Sequence, residues 1–503
     1  MFVSSSWQSH TEYIATFMNA KARFPSDLRT ELFQSYSEVR KKMFALNLDP
    51  VGEYVAQFYT PTGRPANNQA QILRSFILFG LLFNQTPAKL SLTSWVRTLS
   101  RSSVLAALIG CASTSDLPPL GSYFDFMNRF WKGSRDNYGR NKLLPPGRNS
   151  KKPQKDIGPD GKLVEQEPAK YSTREMVDKI VSGQQLSDNP EGILQDIFYL
   201  AAVLPSIHKG LVSGDGSHTF SGDGTAVAVH STPYGKRQFP CENPSGCPYH
   251  DHCPRHYSDP DASWGWDSDH KSWYFGRTLY MICCRNNEHK IELPLLMKYT
   301  SARRHDSISF LFAVDELGRH EPGINPKNFC LNSAHDNIPT YELLERWDIN
   351  ALIDLNGRNS TPDDLPEGIT LNSDGYPLCK AGFRMYHCGY DKVKHAIKYR
   401  CPYICGKVCE CPCTGECSDI SYGRTVYLKI GRNLRFHPRI PRGTDLYRSI
   451  YSERTACERI NDRVLNDYHL QEMMIRGDDH YSFWTMIIGI CIHLDAWSKI
   501  GKL

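Results

Sequence analysis

The segment 329–356 constrains the fold of this chain more than any other stretch. It joins a short apolar run, Phe329-Cys330-Leu331, to a turn, an amphipathic stretch and a second apolar run. Short apolar runs predict buried strands, and an apolar face repeating every three or four residues predicts a helix. We therefore expect strand, turn, helix and strand here. Further strands and helices are expected at 193–204, 225–229, 278–284 and 307–317. Strands that alternate with helices predict an α/β fold with helices on both faces of the sheet.

Length and charge set limits on the partners of the chain. Its 503 residues are enough for about two to four domains, and 59 basic against 54 acidic residues give a net charge of only +5. That balance does not establish a nucleic-acid partner, although it leaves room for a local basic patch. Residues 1–13 lack the apolar core of a signal peptide, and the apolar run 72–83 contains Arg74 and is too short to span a bilayer. We expect no membrane partner and a cytoplasmic location.

The pattern along the chain predicts five regions. They are a mainly α-helical domain at 1–134, a linker at 135–188, an α/β region at 189–360 with a Cys/His insertion at 236–262, a cysteine-rich β insertion at 361–440 and a helical end at 441–503. In the linker, Lys151 and Lys152 stand among Gly, Pro and Asn residues. The linker is either a solvated connection or a basic segment that follows DNA phosphates. Helices are expected at 27–46, 69–83, 90–109, 447–465 and 481–497.

Two acids stand in contexts that suit metal binding. Asp223 lies between Gly222 and Gly224 just before an apolar run, so a cation and a phosphate could approach its backbone closely. A simple turn is the other interpretation of this Asp-Gly pair. Glu458 shares one predicted helix face with Tyr451 and Arg454, an arrangement that suits a metal and a phosphate together. A solvent-exposed pair of Arg454 and Glu458 is the alternative.

Six motifs in chain order together resemble the DDE transposases of bacterial insertion sequences. They are Gly222-Asp223-Gly224-Thr225, Leu331-Asn332-Ser333-Ala334-His335-Asp336-Asn337, Ile353-Asp354-Leu355-Asn356, Lys398-Tyr399-Arg400-Cys401-Pro402, Tyr422-Gly423-Arg424 and Arg454-Thr455-Ala456-Cys457-Glu458-Arg459-Ile460-Asn461. The resemblance covers residues 190–497 and, more weakly, the region around Gly63-Arg64-Pro65. It implies an RNase H-like mixed sheet flanked by helices and interrupted by a β-rich insertion, with a helical N-terminal domain that binds DNA.

The resemblance also implies an activity and its partners. Such proteins use two Mg²⁺ ions to cleave and join DNA strands at paired transposon ends. The expected partners are therefore double-stranded DNA and a second copy of the chain, in the nucleoid of a bacterium. Asp223 matches the first catalytic acid and Glu458 the third, both as Mg²⁺ ligands, while Tyr451 and Arg454 match residues that hold DNA near the cleaved phosphate. The lysine that often completes this signature is replaced by Leu465. Arg463 and Arg442 are further candidates for DNA contact.

The second acid of the family has no direct counterpart. Its position matches Asn332, which closes the predicted strand, and Asp336 four residues later is the other catalytic candidate. Asp336 also fits an ordinary acid at the start of a helix. An asparagine keeps one carbonyl oxygen but loses the negative charge that Mg²⁺ prefers, so metal affinity and cleavage should fall. We expect an active or impaired transposase. An inactive DNA-binding derivative and a non-transposing metal-dependent nuclease are the alternatives.

Cysteines cluster in two windows, which predicts metal rather than a disulfide framework in a reducing compartment. The first window holds Cys241, Cys247 and Cys253, and the second holds Cys401, Cys405, Cys409, Cys411, Cys413 and Cys417, with Cys379 and Cys388 upstream. Their spacing predicts structural Zn²⁺ in one or both windows, because a small insertion with little core gains stability from a metal ion. Free buried thiols are the alternative.

Overall fold

Helices make up the N-terminal part of the chain. The computed structural model describes residues 7–60, 66–83, 91–133, 138–139, 172–186, 189–212, 218–237, 255–268, 270–320, 324–357, 365–372, 375–413, 417–418, 420–429 and 434–502. The N-terminal helices are α1 (His10–Ala22), α2 (Ser26–Gln34), α3 (Ser37–Ala45), α4 (Asp49–Val55), α5 (Gln69–Phe83), α6 (Leu92–Ser100), α7 (Ser103–Leu108) and α8 (Leu120–Arg129). The helix predicted at 69–83 is confirmed as α5. The one predicted at 90–109 is two helices, because Ser102 begins α7 by accepting a hydrogen bond from the Leu105 N–H at 3.2 Å.

Three further helices precede the sheet. The short strand β1 (Tyr138–Gly139) is followed by α9 (Thr173–Val181), α10 (Gly192–Phe198) and α11 (Leu204–His208), the last two joined by a π-helical turn at Tyr199–Val203. Helix α9 lies inside the predicted linker and buries Met176 and Val177, so this end of the linker region is folded. Lys151 and Lys152 lie outside the described residues.

A six-stranded mixed sheet forms the centre of the molecule. Its strands and the two helices between them are β2 (Thr219–Ala228), β5 (Ser263–Asp267), β6 (Ser272–Asn286), β7 (Ile291–Ser301), α12 (Asp306–His320), β8 (Asn328–Leu331), α13 (Ile338–Arg346) and β9 (Asn350–Ile353). The strand order is β5-β6-β2-β8-β9, and β7 pairs with the same edge of β6 as β5 does. Strand β6 is antiparallel to β2, β5 and β7, whereas β2, β8 and β9 run parallel to one another. The predicted α/β class is confirmed as a mixed sheet with many helices.

The described residues form three smaller sheets besides the central one. In the first, β4 (Arg255–His256) lies between β1 and β3 (Lys236–Arg237). The other two belong to the second insertion: β10 (Thr370–Leu371) pairs with β11 (Pro377–Leu378), and β13 (Ala396–Arg400) lies between β12 (Tyr386–Asp391) and β14 (Thr425–Lys429). The core of that second insertion is small and consists of Ile369, Tyr376, Met385, Ile397, Tyr399, Val426 and Leu428. The β character predicted for 361–440 agrees with these strands.

The C-terminal helices complete the main core. They are α14 (Asp445–Tyr451), α15 (Thr455–Asp462) and α16 (Asp478–Lys499), with a 3₁₀ turn at Ser452–Arg454 and a π turn at Arg463–Asp467. The single helix predicted at 447–465 is therefore broken after Tyr451. Helix α16 packs on both β7 and α5, where the Phe76 ring lies 4.8 Å from the ring of Phe483. In the described part of the chain, no helix has both the length and the apolar character needed to cross a membrane.

Candidate functional site

Asp223 lies in the middle of β2, on the central strand of the sheet. It pairs with Met281 of β6, and the preceding Gly222 pairs with Leu331 at the end of β8. A Cβ atom at Gly222 would lie 2.6 Å from the Tyr280 hydroxyl oxygen, and one at Gly224 would lie 2.7 Å from Asp306 Oδ1. The two glycines thus let side chains approach the strand closely on either side of the acid. The turn interpretation of this Asp-Gly pair is wrong, since the backbone here is extended strand.

Asn332 follows β8 directly, and its side chain faces Asp223. The Asn332 Nδ2 atom donates to Asp223 Oδ1 at 2.9 Å. Its Oδ1 atom accepts from the backbone N–H of Ala334 at 3.0 Å and contacts His335 Nδ1 at 2.8 Å. Because a backbone N–H can only donate, the amide oxygen must face Ala334 and the amide nitrogen must face Asp223. The expected position at the strand tip is therefore confirmed, with an N–H directed at the acid.

His335 fixes the orientation of the Asn332 side-chain amide. Its side chain is fully buried, and burial lowers its pKa to about 3, so the imidazole is neutral. The Tyr280 hydroxyl lies 2.9 Å from His335 Nε2, which leaves Nδ1 to carry the proton and to donate to Asn332 Oδ1. A neutral histidine and a backbone amide thus both hold the Asn332 oxygen away from Asp223.

Glu458 and Arg454 approach Asp223 from the C-terminal helices. Helix α15 packs on β2 and β6 through Cys457, whose Sγ atom lies 3.2 Å from the carbonyl oxygen of Ser221. That contact brings the next residue, Glu458, to the edge of the site with its side chain 48 % exposed. Arg454 Nη2 donates to Glu458 Oε1 at 2.6 Å, and its Nη1 lies 4.0 Å from Asp223 Oδ2. Asp223, Asn332, Arg454 and Glu458 are therefore brought together as the sequence predicted.

Negative charge accumulates around Asp223. Burial first, and then the carboxylates of Asp306 and Glu458, raise the pKa of its carboxyl group to about 7 against the opposing effects of Arg454 and the Gly224 N–H. Because burial disfavours the charged form of Asp223, a nearby cation would stabilise that charged form strongly. A protonated Asp223 would not serve as a metal ligand, so cation binding here should strengthen as the pH rises through 7.

Asp306 is a site residue that the sequence analysis missed. It begins α12, and its Oδ1 atom lies beside Gly224, so it adds a carboxylate next to Asp223 on the central strand. An acid in the first turn of a helix is ordinarily explained by the helix dipole. The sequence carries no signal that separates Asp306 from such an acid, because its approach to Gly224 depends on how α12 packs on the sheet.

Tyr451 lies apart from the face that the sequence predicted for it. Its hydroxyl is 2.7 Å from Asp354 Oδ2 and 3.1 Å from the Leu331 carbonyl oxygen, and its ring stacks on Tyr447 with centroids 5.3 Å apart. The 3₁₀ turn after α14 breaks the regular spacing that would have placed Tyr451 beside Glu458. Tyr451 joins the ends of β8 and β9 instead, which positions the strand tips.

Asp336 has the contacts of a buried structural acid. Its side chain is completely buried, and both oxygens lie 2.8 Å from Arg435 Nε. The Tyr341 hydroxyl and the backbone N–H of Asn356 also donate to it, at 3.1 and 2.7 Å. These contacts favour Asn332 over Asp336 as the residue at the site and assign Asp336 to holding α13 against the insertion.

The other basic candidates have structural partners. Arg442 is 5 % exposed and donates to the carbonyl oxygens of Ile353 and Arg435 at 2.8 and 2.7 Å, so its predicted DNA contact would require it to leave a buried position. Arg463 Nη2 pairs with Asp495 of α16 at 2.8 Å. Arg442 is therefore held by neutral acceptors and Arg463 by an acid, and DNA contact by either residue stays a prediction.

The described cysteines of the second insertion fall into two groups. The Cys405 thiol contacts that of Cys388 and lies near Cys401, whereas Cys413 contacts Cys411 and lies near Cys417 and Cys379. All of these cysteines are free, as is the exposed Cys409. Cys241, Cys247 and Cys253 lie outside the described residues.

The described part of the chain contains no preformed set of metal ligands. Among the described residues, no group of three or more His, Cys, Asp or Glu side chains is arranged to hold a metal ion. Mg²⁺ often needs only one or two carboxylates beside water and phosphate oxygens, so the donors at Asp223 and Glu458 fit it when a phosphate is present. No protein-family model, no curated protein and no solved structure matches the chain.

Proposed function

We propose that this chain is a DDE-type DNA transposase with an RNase H-like catalytic region, which binds transposon-end DNA and cleaves it poorly because Asn332 replaces an acid. The observation that carries the proposal is the meeting of three distant segments at one point of the sheet. Asn332 lies 2.9 Å from Asp223, and Arg454 bridges Asp223 and Glu458. The motifs at these residues are the ones that resemble the family.

The topology of the sheet supports the same proposal. Three antiparallel strands in the order β7-β6-β2 are followed by the parallel strands β8 and β9 on the other side of β2. This order of strands is the one expected for an RNase H-like sheet, and it therefore supports the proposal. The first acid then lies on the central strand, the second position lies at the tip of the adjacent parallel strand, and the third lies on a later helix that covers the sheet.

Each residue of the site has a separate role in the proposed reaction. Asp223 and Glu458, with Asp306 close by, would hold the divalent ions, which when bound would activate a water or a 3′-hydroxyl and stabilise the leaving oxygen. Arg454 would bind a phosphate oxygen of the DNA, for which a guanidinium fork is well suited. Tyr451 and Asp354 fix the strand ends on which the second-acid position lies.

Asn332 is the observation that favours an impaired form. It presents an N–H rather than an oxygen to Asp223, and turning the amide would break the bonds from Ala334 and His335. The amide therefore fills a position where a cation needs an oxygen donor. This supports an inactive or domesticated DNA-binding relative as the second candidate, whereas a general nuclease would need an intact acid set.

The dependence of binding on DNA sequence tests the proposal. We expect the full chain to bind a duplex from the DNA flanking its own coding sequence at least about 1,000-fold more tightly than a scrambled duplex at equal salt, as specific DNA-binding proteins do. Electrophoretic mobility shifts with the two duplexes measure the ratio. Equal binding to both would exclude the transposase and domesticated forms and leave a non-specific nuclease or scaffold.

We also propose that the cysteines of the second insertion hold Zn²⁺. The described core of this insertion has only seven buried side chains, and such a small core gains stability from a metal. Zinc would have to draw the described cysteines closer together, because no three of them are arranged around a metal position in the structure. Elemental analysis of purified protein should find about one to two Zn²⁺ per chain, and Cys413→Ser should lower that number. The buried Cys283→Ser, outside the windows, is the control. Less than one Zn²⁺ per chain in the parent protein would eliminate this site.

A further inference from the structure

The side chain of Arg454 fills the space between the two carboxylates that would hold metal. Its Nη2 atom donates to Glu458 Oε1 at 2.6 Å, while Nη1 lies 4.0 Å from Asp223 Oδ2 on the opposite side. Only 23 % of the Arg454 side chain is exposed. The position of a cation between Asp223 and Glu458 is thus already taken by a guanidinium.

A divalent ion and Arg454 compete for this position. Both are cations, and charges about 4 Å apart repel one another even in water. An ion bound to Asp223 and Glu458 would also remove the hydrogen bond that holds Arg454 in place. For a divalent ion to bind, the Arg454 guanidinium must therefore leave Glu458 and pair with another anion.

The backbone around Arg454 allows such a movement. Arg454 ends a 3₁₀ turn and precedes α15, so its side chain is not fixed within a regular helix. Its partner Glu458 is 48 % exposed, and ion pairs with that much solvent exposure are weak enough to exchange. A DNA phosphate offers oxygens that match both Nη atoms of the guanidinium.

We propose that Arg454 closes the divalent-metal site in the free protein, and that a DNA phosphate opens it by drawing the guanidinium away from Glu458. This inference rests on the proposed function, because it takes Asp223 and Glu458 as the metal ligands. Metal and DNA would then bind cooperatively, because either one, once bound, has already broken the contact between Arg454 and Glu458 that opposes binding of the other. The free protein would hold little metal, which prevents cleavage before the DNA is in position.

Binding of Mn²⁺ alone to the full chain tests the closure. Arg454→Gln should bind Mn²⁺ about tenfold more tightly than the parent protein without DNA, since the competing charge is gone. Free Mn²⁺ is followed by electron paramagnetic resonance. Arg454→Lys keeps a positive charge and should stay close to the parent. Arg459→Gln, whose partner is Glu292 at 2.8 Å, removes the same charge from the adjoining helix α15 and should have no effect.

The effect of DNA completes the test. A duplex of mixed sequence should tighten Mn²⁺ binding to the parent protein by about tenfold, and to Arg454→Gln much less. Equal Mn²⁺ affinity of Arg454→Gln and the parent, with Asp223→Asn and Glu458→Gln abolishing it, would overturn the closure but leave the proposed site intact. Mn²⁺ binding to Arg454→Gln that survives Asp223→Asn and Glu458→Gln would instead overturn the proposed site itself.

Discussion

Asn332→Asp is expected to raise metal-dependent nicking of end-bearing duplex DNA by about 10–100-fold, the range over which metal-site residues usually act. The substituted carboxylate can still accept from the Ala334 N–H and from His335 Nδ1, so the backbone and the histidine need not move. Its second oxygen replaces the N–H that now faces Asp223. The site thereby gains one charge and one oxygen donor where a divalent ion needs them.

The nicking assay needs a control for the added negative charge. Asn337→Asp provides it, because Asn337 begins α13, accepts from the Thr340 N–H at 3.0 Å, and an aspartate can do the same at a helix N-terminus. Nicking should therefore change only in Asn332→Asp, and a second substitution, Glu458→Gln, should abolish the gain. If activity is unchanged, or is already high with asparagine, the second acid is not at position 332 and Asp306 becomes the first residue to replace.

Asp336→Asn is expected to lower the free energy of unfolding by about 3–5 kcal/mol, the usual result of removing one partner from a buried ion pair. Arg435 would keep its charge in a position that is 5 % exposed, without the carboxylate that compensates it. Asp445→Asn is the matched control, since the Asp445 side chain is 99 % exposed beside Arg448 and should cost less than about 0.5 kcal/mol.

Chemical denaturation followed by tryptophan fluorescence measures both variants, with proteolysis reporting whether 434–442 opens first. The result separates two roles for Asp336. A structural acid changes stability and leaves Mn²⁺ binding in the remaining folded protein unaltered. A variant that keeps its stability but loses Mn²⁺ binding would show that Asp336 is a ligand and that its buried position in the fold is not its main role.

The sequence predicted the parts of the site that follow strand and helix patterns. The apolar run before Asn332 placed it at a strand tip, which the structure shows. The glycines around Asp223 indicated room beside the strand, and in the structure Tyr280 and Asp306 lie there, while the approach of a cation and a phosphate stays a prediction. The sequence could not show which side chains from distant parts of the chain would lie in contact. The Arg435 partner of Asp336 lies 99 positions away, and the contact between Asp306 and Gly224 depends on how α12 packs on the sheet.

The break between Tyr451 and Glu458 illustrates a second limit. Seven residues of helix-like spacing predicted one continuous face, yet a 3₁₀ turn at Ser452–Arg454 separates the two side chains. Helix propensity is weak beside tertiary contacts, and here the Tyr451 hydroxyl contacts at Leu331 and Asp354 accompany the turn. Helical spacing did indicate the pair of Arg454 and Glu458, whereas the contact of Arg454 with Asp223 depends on how α15 packs on β2.

Helix α16 has a consequence for the geometry of any DNA complex. It packs against the sheet through β7 and against the N-terminal helices through α5, where Phe76 meets Phe483 and Cys491 Sγ lies 3.6 Å from the Ile77 carbonyl oxygen. A core shared in this way is expected to keep the N-terminal helices and the sheet in one fixed arrangement. DNA bound by the N-terminal helices, as proposed, would therefore meet Asp223 at a fixed distance and angle. The fold itself would set the distance along the DNA between the bound segment and the cleaved phosphate.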